Sequence, residues 1–143
     1  MRVKDIMTTD VKTVSSKSTI QDAAKIMAGN HIGCLIVIDK AMLVGIITDR
    51  DIMREVVSQD KLPSKTLVKD VMRKEVVVID PDAQIEDAAD AMTERQVKRL
   101  PVVKDNHLVG IVSSVDIVAA EPKMMEQIAQ LVVSGSKKKR AAG

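Results

Sequence analysis

The apolar positions of the chain follow helical spacing in some stretches and form dense runs in others. Four of them lie at i, i+3, i+4 and i+7, the spacing of one buried helix face: Ile20, Ala23, Ala24 and Met27. Dense apolar runs at 34–38 and 43–47 are typical of buried strands joined by a hairpin, with a turn at 39–41. A short strand over 11–14 precedes the helix, and a second helix begins near Asp49. The predicted order is therefore strand, helix, strand, strand, helix.

The same pattern returns 65 residues later without a gap. VKDIM, which begins at Val3, returns as VKDVM at Val68, and LVGIITDRDI, which begins at Leu43, returns as LVGIVSSVDI at Leu108. Between Val3 and Met53, 18 of the 51 positions are identical to their partners. Self-similarity at a fixed offset is the signature of tandem structural units. We therefore predict an α/β (α+β) fold of two βαββα repeats packed as a pseudo-twofold pair, plus a C-terminal helix.

Domain boundaries follow from the repeat. We predict a first domain over 1–60, a second over 61–120, and a C-terminal helix with a basic tail over 121–143, with a linker from Ser58 to Thr66. Pro122 is well placed at the start of the C-terminal helix. One apolar face of that helix consists of Met124, Ile128 and Leu131. An amphipathic helix of this kind usually packs on its own body or on a second subunit.

Capping residues predict where the longer helices begin and end. Ser18 with Gln21 predicts a capping box at the start of the first helix, and Asp82 is the expected cap in the second repeat. Gly29 is expected to end the first helix, and the corresponding helix of the second repeat is expected to end near Arg95.

Composition narrows the class of protein. The 143 residues are 45% hydrophobic and 29% charged, which suits a packed globular core. No apolar run approaches the roughly 20 residues needed to cross a bilayer, so we expect a cytoplasmic protein. Cys34 is the only cysteine, which excludes an intrachain disulfide and a thiolate zinc site. The absence of Phe, Tyr and Trp excludes the aromatic platform that most single-strand nucleic-acid binders use.

Positive charge is concentrated at the C-terminal end. The net charge is +2, and removal of Lys137, Lys138, Lys139 and Arg140 leaves 18 basic minus 20 acidic residues, or −2. A bare basic tail is most often simply solvated. It also leaves open a second function, which is binding of nucleic acid or an acidic partner through the tail, with the repeats as a dimerisation platform.

Two polar pairs repeat at the predicted strand-to-helix junctions: Thr48 with Asp51, and Ser113 with Asp116. A carboxylate there can accept two hydrogen bonds from a ribose diol, and the hydroxyl can donate to a ribose or phosphate oxygen. The same pairs also suit helix N-caps, with the hydroxyl accepting the N3 amide and the acid in the first turn. Both interpretations stay open, and both roles can coexist because a carboxylate has spare lone pairs.

Other candidate chemistry is weaker. His31 and His107 are not kept between the repeats, and neither has a Cys or carboxylate at metal-ligand spacing, so no metal site is predicted. No nucleophile–base pair repeats, and the chain has no glycine-rich phosphate loop. We therefore predict a protein that is not an enzyme.

Taken together, the motifs resemble the cystathionine-beta-synthase (CBS) domain. They are the opening VKDIM, the helix with its paired alanines, the strand that contains Pro101, and a common ending. The ending is a glycine, two apolar residues, a Ser or Thr, any two residues and an Asp. The ending reads GIITDRD from Gly45 and GIVSSVD from Gly110, in register. The resemblance covers about residues 1 to 120. It implies a tandem CBS pair, or Bateman module, which commonly forms a homodimer and binds adenosine-containing ligands in clefts between its two domains.

The resemblance also implies which residues contact the ligand. A basic residue before this strand often reaches a ligand phosphate in the family. Here that residue is Arg99, next to Lys98, whereas the first repeat has Gly33 and Cys34, so the two clefts are not expected to be equivalent. Arg50 lies inside GIITDRD, but its counterpart is Val115, so it can equally face solvent.

Adenine contacts are expected from the backbone of one strand and a residue beside it: Val37 with Thr13, or Val102 with Ile79. Pro101 cannot donate a ladder hydrogen bond, which suits a strand edge that lines a cleft. The candidate ligand-binding set is Thr13, Val37, Thr48, Arg50, Asp51, Ile79, Lys98, Arg99, Pro101, Val102, Ser113 and Asp116.

We therefore predict a regulatory sensor that binds AMP, ADP, ATP or S-adenosylmethionine. The adenine compound is a regulatory ligand, and no other cofactor is predicted. Such a sensor signals energy or metabolite state to a regulated protein that the sequence does not identify. We rank nucleic-acid binding below this function. A purely structural module with empty clefts is the third alternative.

Overall fold

The structure is a computed structural model that describes residues 1–131 and 133. The chain divides into two compact units, a first unit over Val11–Val76 and a second unit made of Met1–Asp10 and the chain from Val77 onward. The basic tail, Lys137 to Arg140, lies outside the described residues. In the part of the chain that is described, no helix is both long enough and apolar enough to span a membrane.

The first unit contains three strands and two helices in the predicted order: β1 (Thr13–Ser15), α1 (Ile20–Asn30), β2 (Cys34–Asp39), β3 (Met42–Thr48) and α2 (Asp49–Ile52). β1 pairs in parallel with β2, which pairs antiparallel with β3. A π-helical turn over Met53–Val57 continues α2. Insertion of a π turn into a helix is frequent near functional sites.

The second unit repeats the plan with one difference. Its elements are α3 (Ile85–Arg95), β4 (Arg99–Lys104), β5 (His107–Ser113) and α4 (Ser114–Ala120). β4 pairs antiparallel with β5, but the counterpart of β1 is reduced to a parallel bridge between Ile79 and Val102. Two prolines explain the reduction. Pro101 has no N–H to donate to Val77, and Pro81 has none to donate to Val103, so neither flanking bridge can form. The mixed α/β fold with a C-terminal helix is confirmed.

Each VKD segment packs with the body of the other repeat. We call Val3 to Met7 the first VKD segment and Val68 to Met72 the second. Val3 donates a backbone hydrogen bond to Ala83 at 2.9 Å, and Val68 donates one to Ser18 at 2.8 Å. Both valines are fully buried. The compact units therefore have boundaries different from those of the sequence repeats. The predicted domain boundaries at 60 and 120 follow the repeats and stay a prediction.

One apolar core fills each unit. The core of the first unit is built from Val14, Ile20, Ala23, Met27, Leu35, Val37, Ile47, Val56 and Val68. That of the second unit includes Val3, Ala88, Ala89, Met92, Leu100, Val102, Val112 and Ile117. Met124, Ile128 and Leu131 complete this second core. The apolar face of the C-terminal helix thus packs on its own body through these residues.

The starts of α1 and α3 correct two predictions. The N-cap of α1 is Thr19, whose hydroxyl accepts the Asp22 N–H at 3.1 Å, so the predicted box of Ser18 and Gln21 is one residue early. Ser18 instead contacts the second VKD segment, because its carbonyl accepts the Val68 N–H.

In the second repeat the N-cap of α3 is Gln84 and not Asp82. The Asp82 carboxylate instead accepts hydrogen bonds from Lys4 at 3.1 Å and Lys104 at 3.3 Å.

The C-terminal ends of these helices are closed by left-handed residues. α1 runs one residue past Gly29 to Asn30 and is terminated by His31 with φ 53°, so the prediction that Gly29 ends it is wrong by a residue. α3 ends at Arg95 as predicted, and Gln96 follows with φ 56°.

Candidate functional site

The junction between β5 and α4 carries the candidate pair Ser113 and Asp116. The Ser113 hydroxyl accepts the Asp116 N–H at 3.1 Å, and Oδ2 of Asp116 accepts the Ser113 N–H at 2.9 Å. The capping interpretation is therefore confirmed. Asp116 is half-buried, and among the residues that the structure describes none donates a hydrogen bond to its other oxygen, Oδ1. This oxygen can accept a hydrogen bond from a ligand while Oδ2 caps the helix.

Lys98 and Arg99 lie at the same end of the second unit. Arg99 is the register partner of Ser113 across the β4–β5 hairpin, and the Lys98 carbonyl accepts the Ser114 N–H at 2.9 Å. Both side chains are exposed, and neither makes an ion pair or hydrogen bond within the described chain. The backbones of Lys98 and Arg99 thus adjoin the junction that carries Ser113 and Asp116.

The residues proposed to contact adenine lie on neighbouring backbone segments. The Ile79 N–H donates to the Pro101 carbonyl at 3.0 Å, and the Ile79 carbonyl accepts the Val103 N–H at 2.9 Å. Both backbone groups of Ile79 therefore take part in the bridge to β4. Pro101 and Val102 are buried. In the first unit Thr13 pairs with Ile36, and the buried Val37 pairs with Gly45.

The equivalent junction of the first unit has the same capping box. The Thr48 hydroxyl accepts the Asp51 N–H at 3.1 Å, and Oδ2 of Asp51 accepts the Thr48 N–H at 3.0 Å. Its Oδ1 differs from that of Asp116. It accepts Nη2 of Arg54 at 3.0 Å, and Nε and Nη2 of Arg73 at 3.1 and 2.9 Å. Asp51 is 1% exposed, so this carboxylate is enclosed by its own chain.

Arg73 has a structural counterpart in the second unit. Arg73 exchanges two backbone hydrogen bonds with Ile46, each 2.9 Å long, and Thr8 exchanges the same two bonds with Ile111 at 2.8 and 2.9 Å. Arg73 and Thr8 are 65 residues apart, as are Ile46 and Ile111. Thr8 therefore occupies the position of Arg73. By the same offset, Ala119 occupies that of Arg54, so the second junction lacks both cations.

The residues near Gly33, the counterpart of Lys98, also differ. The Asp49 N–H donates to the Gly33 carbonyl at 2.9 Å, and a Cβ added to Gly33 would lie 2.8 Å from Oδ2 of Asp49. A carboxylate therefore lies over Gly33, where the second unit has Lys98 beside Ser114. Arg50 is exposed, as its solvent-facing interpretation allowed.

Sequence reasoning missed Arg54, Arg73 and Asp49. The 65-residue offset already showed that Arg73 pairs with Thr8 and Arg54 with Ala119. What it could not show is that the second VKD segment folds against β3 and places Arg73 on a carboxylate 22 residues earlier.

Two carboxyls elsewhere in the fold, Asp39 and Asp82, have a lowered pKa. The Ser16 hydroxyl donates to Oδ2 of Asp39 at 2.5 Å, which lowers the pKa of that carboxyl. In the second unit Lys4 and then Lys104 lower the pKa of Asp82, and Asp82 raises the pKa of Lys104. Within the described residues, no group of three or more His, Cys, Asp or Glu side chains is arranged to hold a metal ion.

Comparisons with known proteins agree with this architecture. The family model described as CBS domain matches residues 3–58 and 68–123. The CBS domain-containing protein YhcV of Bacillus subtilis is 43% identical over 115 residues, which are 80% of this chain and 81% of that protein. Hypoxic response protein 1 of Mycobacterium tuberculosis is 33% identical, over 84% of this chain and 85% of that protein.

Solved structures show the same similarity. A conserved CBS domain protein, TA0289 of Thermoplasma acidophilum, superposes with a TM-score of 0.80 at 32% identity, covering 95% of this chain and 76% of that one. The CBS domain pair of protein MJ0100, in complex with 5′-methylthioadenosine and S-adenosyl-L-methionine, has a TM-score of 0.71 at 33% identity, covering 84% and 94%.

Proposed function

The chain belongs to the CBS domain family and carries that domain twice, and on this premise we propose that it is a regulatory protein that binds an adenosine-containing ligand at the Ser113–Asp116 junction of its second unit. Binding there reports the level of the ligand to another protein. As part of the proposal the protein acts as a homodimer in the cytoplasm and is not itself a catalyst.

Oδ1 of Asp116 is the observation that carries the proposal. It is the carboxylate oxygen that receives no hydrogen bond from the described chain, although Oδ2 is fixed by the helix cap. A ribose diol presents two hydroxyl donors, and a carboxylate is an acceptor only, so the two are complementary. The capping box holds the carboxylate in place before the ligand arrives, which reduces the entropy lost on binding.

Lys98 and Arg99 indicate the charge of the ligand. Their side chains are exposed beside Ser113 and have no carboxylate partner among the described residues. Guanidinium groups suit phosphate oxygens, which accept two parallel hydrogen bonds. An adenine nucleotide therefore fits this junction better than the sulfonium cation of S-adenosylmethionine. The bound adenosine compounds named for the MJ0100 pair support the adenosine part of the proposal.

Isothermal titration calorimetry with AMP, ATP, 5′-methylthioadenosine and S-adenosylmethionine tests the proposal. Asp116→Asn and Asp116→Ala should both weaken binding, because loss of one charged hydrogen bond typically costs about 1.5–3 kcal/mol. Asp87→Asn is the matched control, since Oδ2 of Asp87 makes the corresponding backbone bond to Gln84 at 3.2 Å in the same unit. It should change stability and leave affinity unaltered.

Two results would contradict the proposal. Absence of binding by all four compounds would favour a purely structural module. Equal loss of affinity in the Asp116 variants and in Asp87→Asn would show that helix capping, and not ligand contact, explains the effect. Because the chain lacks aromatic residues, circular dichroism is the suitable probe of folding in each variant.

A further inference from the structure

Arg54 and Arg73 enclose the Asp51 carboxylate in the first unit. We infer that this arginine clamp closes the first junction to ligand, so that the chain binds one adenosine compound, at the Asp116 junction, and that Arg54 and Arg73 together set the difference. The inference rests on the proposed function and adds to it a built-in restriction of one of the two candidate sites.

At Asp51 the carboxylate oxygen that corresponds to Oδ1 of Asp116 is fully occupied. Its Oδ2 holds the Thr48 N–H, and its Oδ1 accepts three guanidinium N–H groups within 2.9–3.1 Å. Oδ1 has two lone pairs and is therefore saturated, and the one lone pair left on Oδ2 belongs to a carboxylate that is 1% exposed. A diol can reach this carboxylate only if it displaces an arginine.

The arginines themselves are able to leave. The side chains of Arg54 and Arg73 are each 54% exposed, whereas Asp51 is 1% exposed. Arg73 also lines an open groove of about 790 Å³ with Lys69, Asp70, Met72, Lys74 and Glu75. The site is therefore closed by an ion pair that can open, and not by packed backbone.

The second unit shows that the clamp is dispensable for the local fold. Thr8 makes the two backbone bonds that Arg73 makes, and the Ser113–Asp116 capping box has the same geometry without any cation on Asp116. Thr8 and Ala119 are both exposed. A junction of this design folds without arginines, so the capping box itself does not require the clamp.

The Asp49 carboxylate, like the clamp, disfavours ligand binding at the first junction. This carboxylate lies against Gly33, at the place where Lys98 precedes Arg99 in the second unit. An anionic ligand at the first junction would thus meet a carboxylate where the second junction offers a cation.

Transplanting the second unit's residues into the first tests the clamp. The background is Asp116→Ala, which removes the second-unit site, and the added changes are Arg54→Ala and Arg73→Thr, the residues at Ala119 and Thr8. The probes are AMP and the uncharged 5′-methylthioadenosine, with stoichiometry measured by equilibrium dialysis. We expect one site per wild-type chain, none in Asp116→Ala, and one in the triple variant.

The reverse transplant is the matched partner. Thr8→Arg with Ala119→Arg places the two cations beside Asp116, on exposed positions that do not disturb packing. It should weaken binding of 5′-methylthioadenosine to the otherwise wild-type chain by about tenfold to a hundredfold. This range is expected if the introduced arginines occupy the Asp116 carboxylate in about 90–99% of molecules. This variant decides the question if the triple variant does not fold.

The outcomes separate the clamp from the proposed function. Two sites per wild-type chain, or a site that survives Asp116→Ala, overturns the clamp and leaves adenosine binding intact. Binding by the triple variant alone supports the clamp and overturns the Asp116 site. If Asp116→Ala binds AMP and the triple variant does not, Arg54 and Arg73 bind the phosphate, and the clamp is overturned. No binding by any form removes both proposals.

Discussion

Met7 lies over Gly110 so closely that a Cβ on the glycine would be 2.7 Å from Sδ of Met7 and 2.9 Å from the Thr8 carbonyl oxygen. Met72 covers Gly45 in the same way in the first unit, with the corresponding distances 2.7 and 2.8 Å. Neither glycine has a positive φ, so both are required for space and not for backbone conformation. These glycines are what allows a VKD segment to lie against β3 or β5.

Gly110→Ala should therefore destabilise the protein, by about 1–3 kcal/mol, because the methyl group meets backbone that cannot move aside. Urea unfolding followed by circular dichroism measures the change. Gly29→Ala is the matched control, since no atom lies within 4 Å of a Cβ at this position in α1. It should raise stability by up to about 1 kcal/mol. Similar losses in both variants would contradict the packing argument.

Removing Arg73 should destabilise the first unit even though the side chain is half exposed. Arg73→Ala leaves the buried Asp51 with Arg54 as its remaining cation in the described structure. We expect the free energy of unfolding to fall by about 1–3 kcal/mol. Lys123→Ala, which removes an exposed pair with Glu121, should have almost no effect. In a double-mutant cycle with Asp51→Asn, the effects should be strongly non-additive. Additive effects would mean that the ion pair does not form.

Asp39 predicts a specific acid sensitivity. The Ser16 hydroxyl lowers the pKa of Asp39 from its ordinary value of 3.8, so the folded protein binds this proton more weakly than the unfolded chain. The resulting stabilisation is fully present above the ordinary carboxyl pKa and is lost as pH falls through the lower folded pKa. Ser16→Ala should thus lose more stability at pH 7 than at pH 2.5, measured by urea unfolding.

Ser58→Ala controls for the loss of a hydroxyl in this comparison. The Ser58 hydroxyl donates to the Arg54 carbonyl, which does not titrate, so its effect should be the same at both pH values. A pH-independent effect of Ser16→Ala would contradict the coupling to Asp39.

Arg99 should discriminate between ligands by charge. If the nucleotide phosphate lies beside Ser113, Arg99→Ala weakens AMP and ATP binding by roughly tenfold and leaves 5′-methylthioadenosine almost unchanged. The difference should shrink as salt is raised, because the side chain is exposed. Calorimetry at low and high salt measures both effects. Arg50→Ala, an exposed arginine of the first unit, should alter neither ligand, and a loss of AMP affinity there would point to the first junction.

Local pattern predicted the elements of this fold well, because apolar spacing reflects which face is buried. The two hairpins and the start of α4 at Ser114 follow directly from it. The errors arise where a distant segment competes for a local group. Ser18 does not cap α1 because its carbonyl accepts the Val68 N–H, and Asp82 does not cap α3 because Lys4 and Lys104 bind it.

The candidate site shows the same limit. Ser113 and Asp116 were found because both lie within four residues of one another and recur at a fixed offset. Arg73 was missed because its importance depends on a contact across 22 residues that no periodicity encodes. The loss of the β1 counterpart was encoded in Pro81 and Pro101, but the effect of these prolines depends on which strands pair.

The exchange of VKD segments has a consequence for the order in which the chain folds. The first unit is continuous in sequence over Val11–Val76, so all of its hydrogen bonds can form once this stretch has left the ribosome. The second unit needs Val3 to reach Ala83, a loop of 80 residues whose closure costs more entropy than a local contact. The first VKD segment is thus synthesised before the first unit, yet it is among the last parts of these two units to find its place.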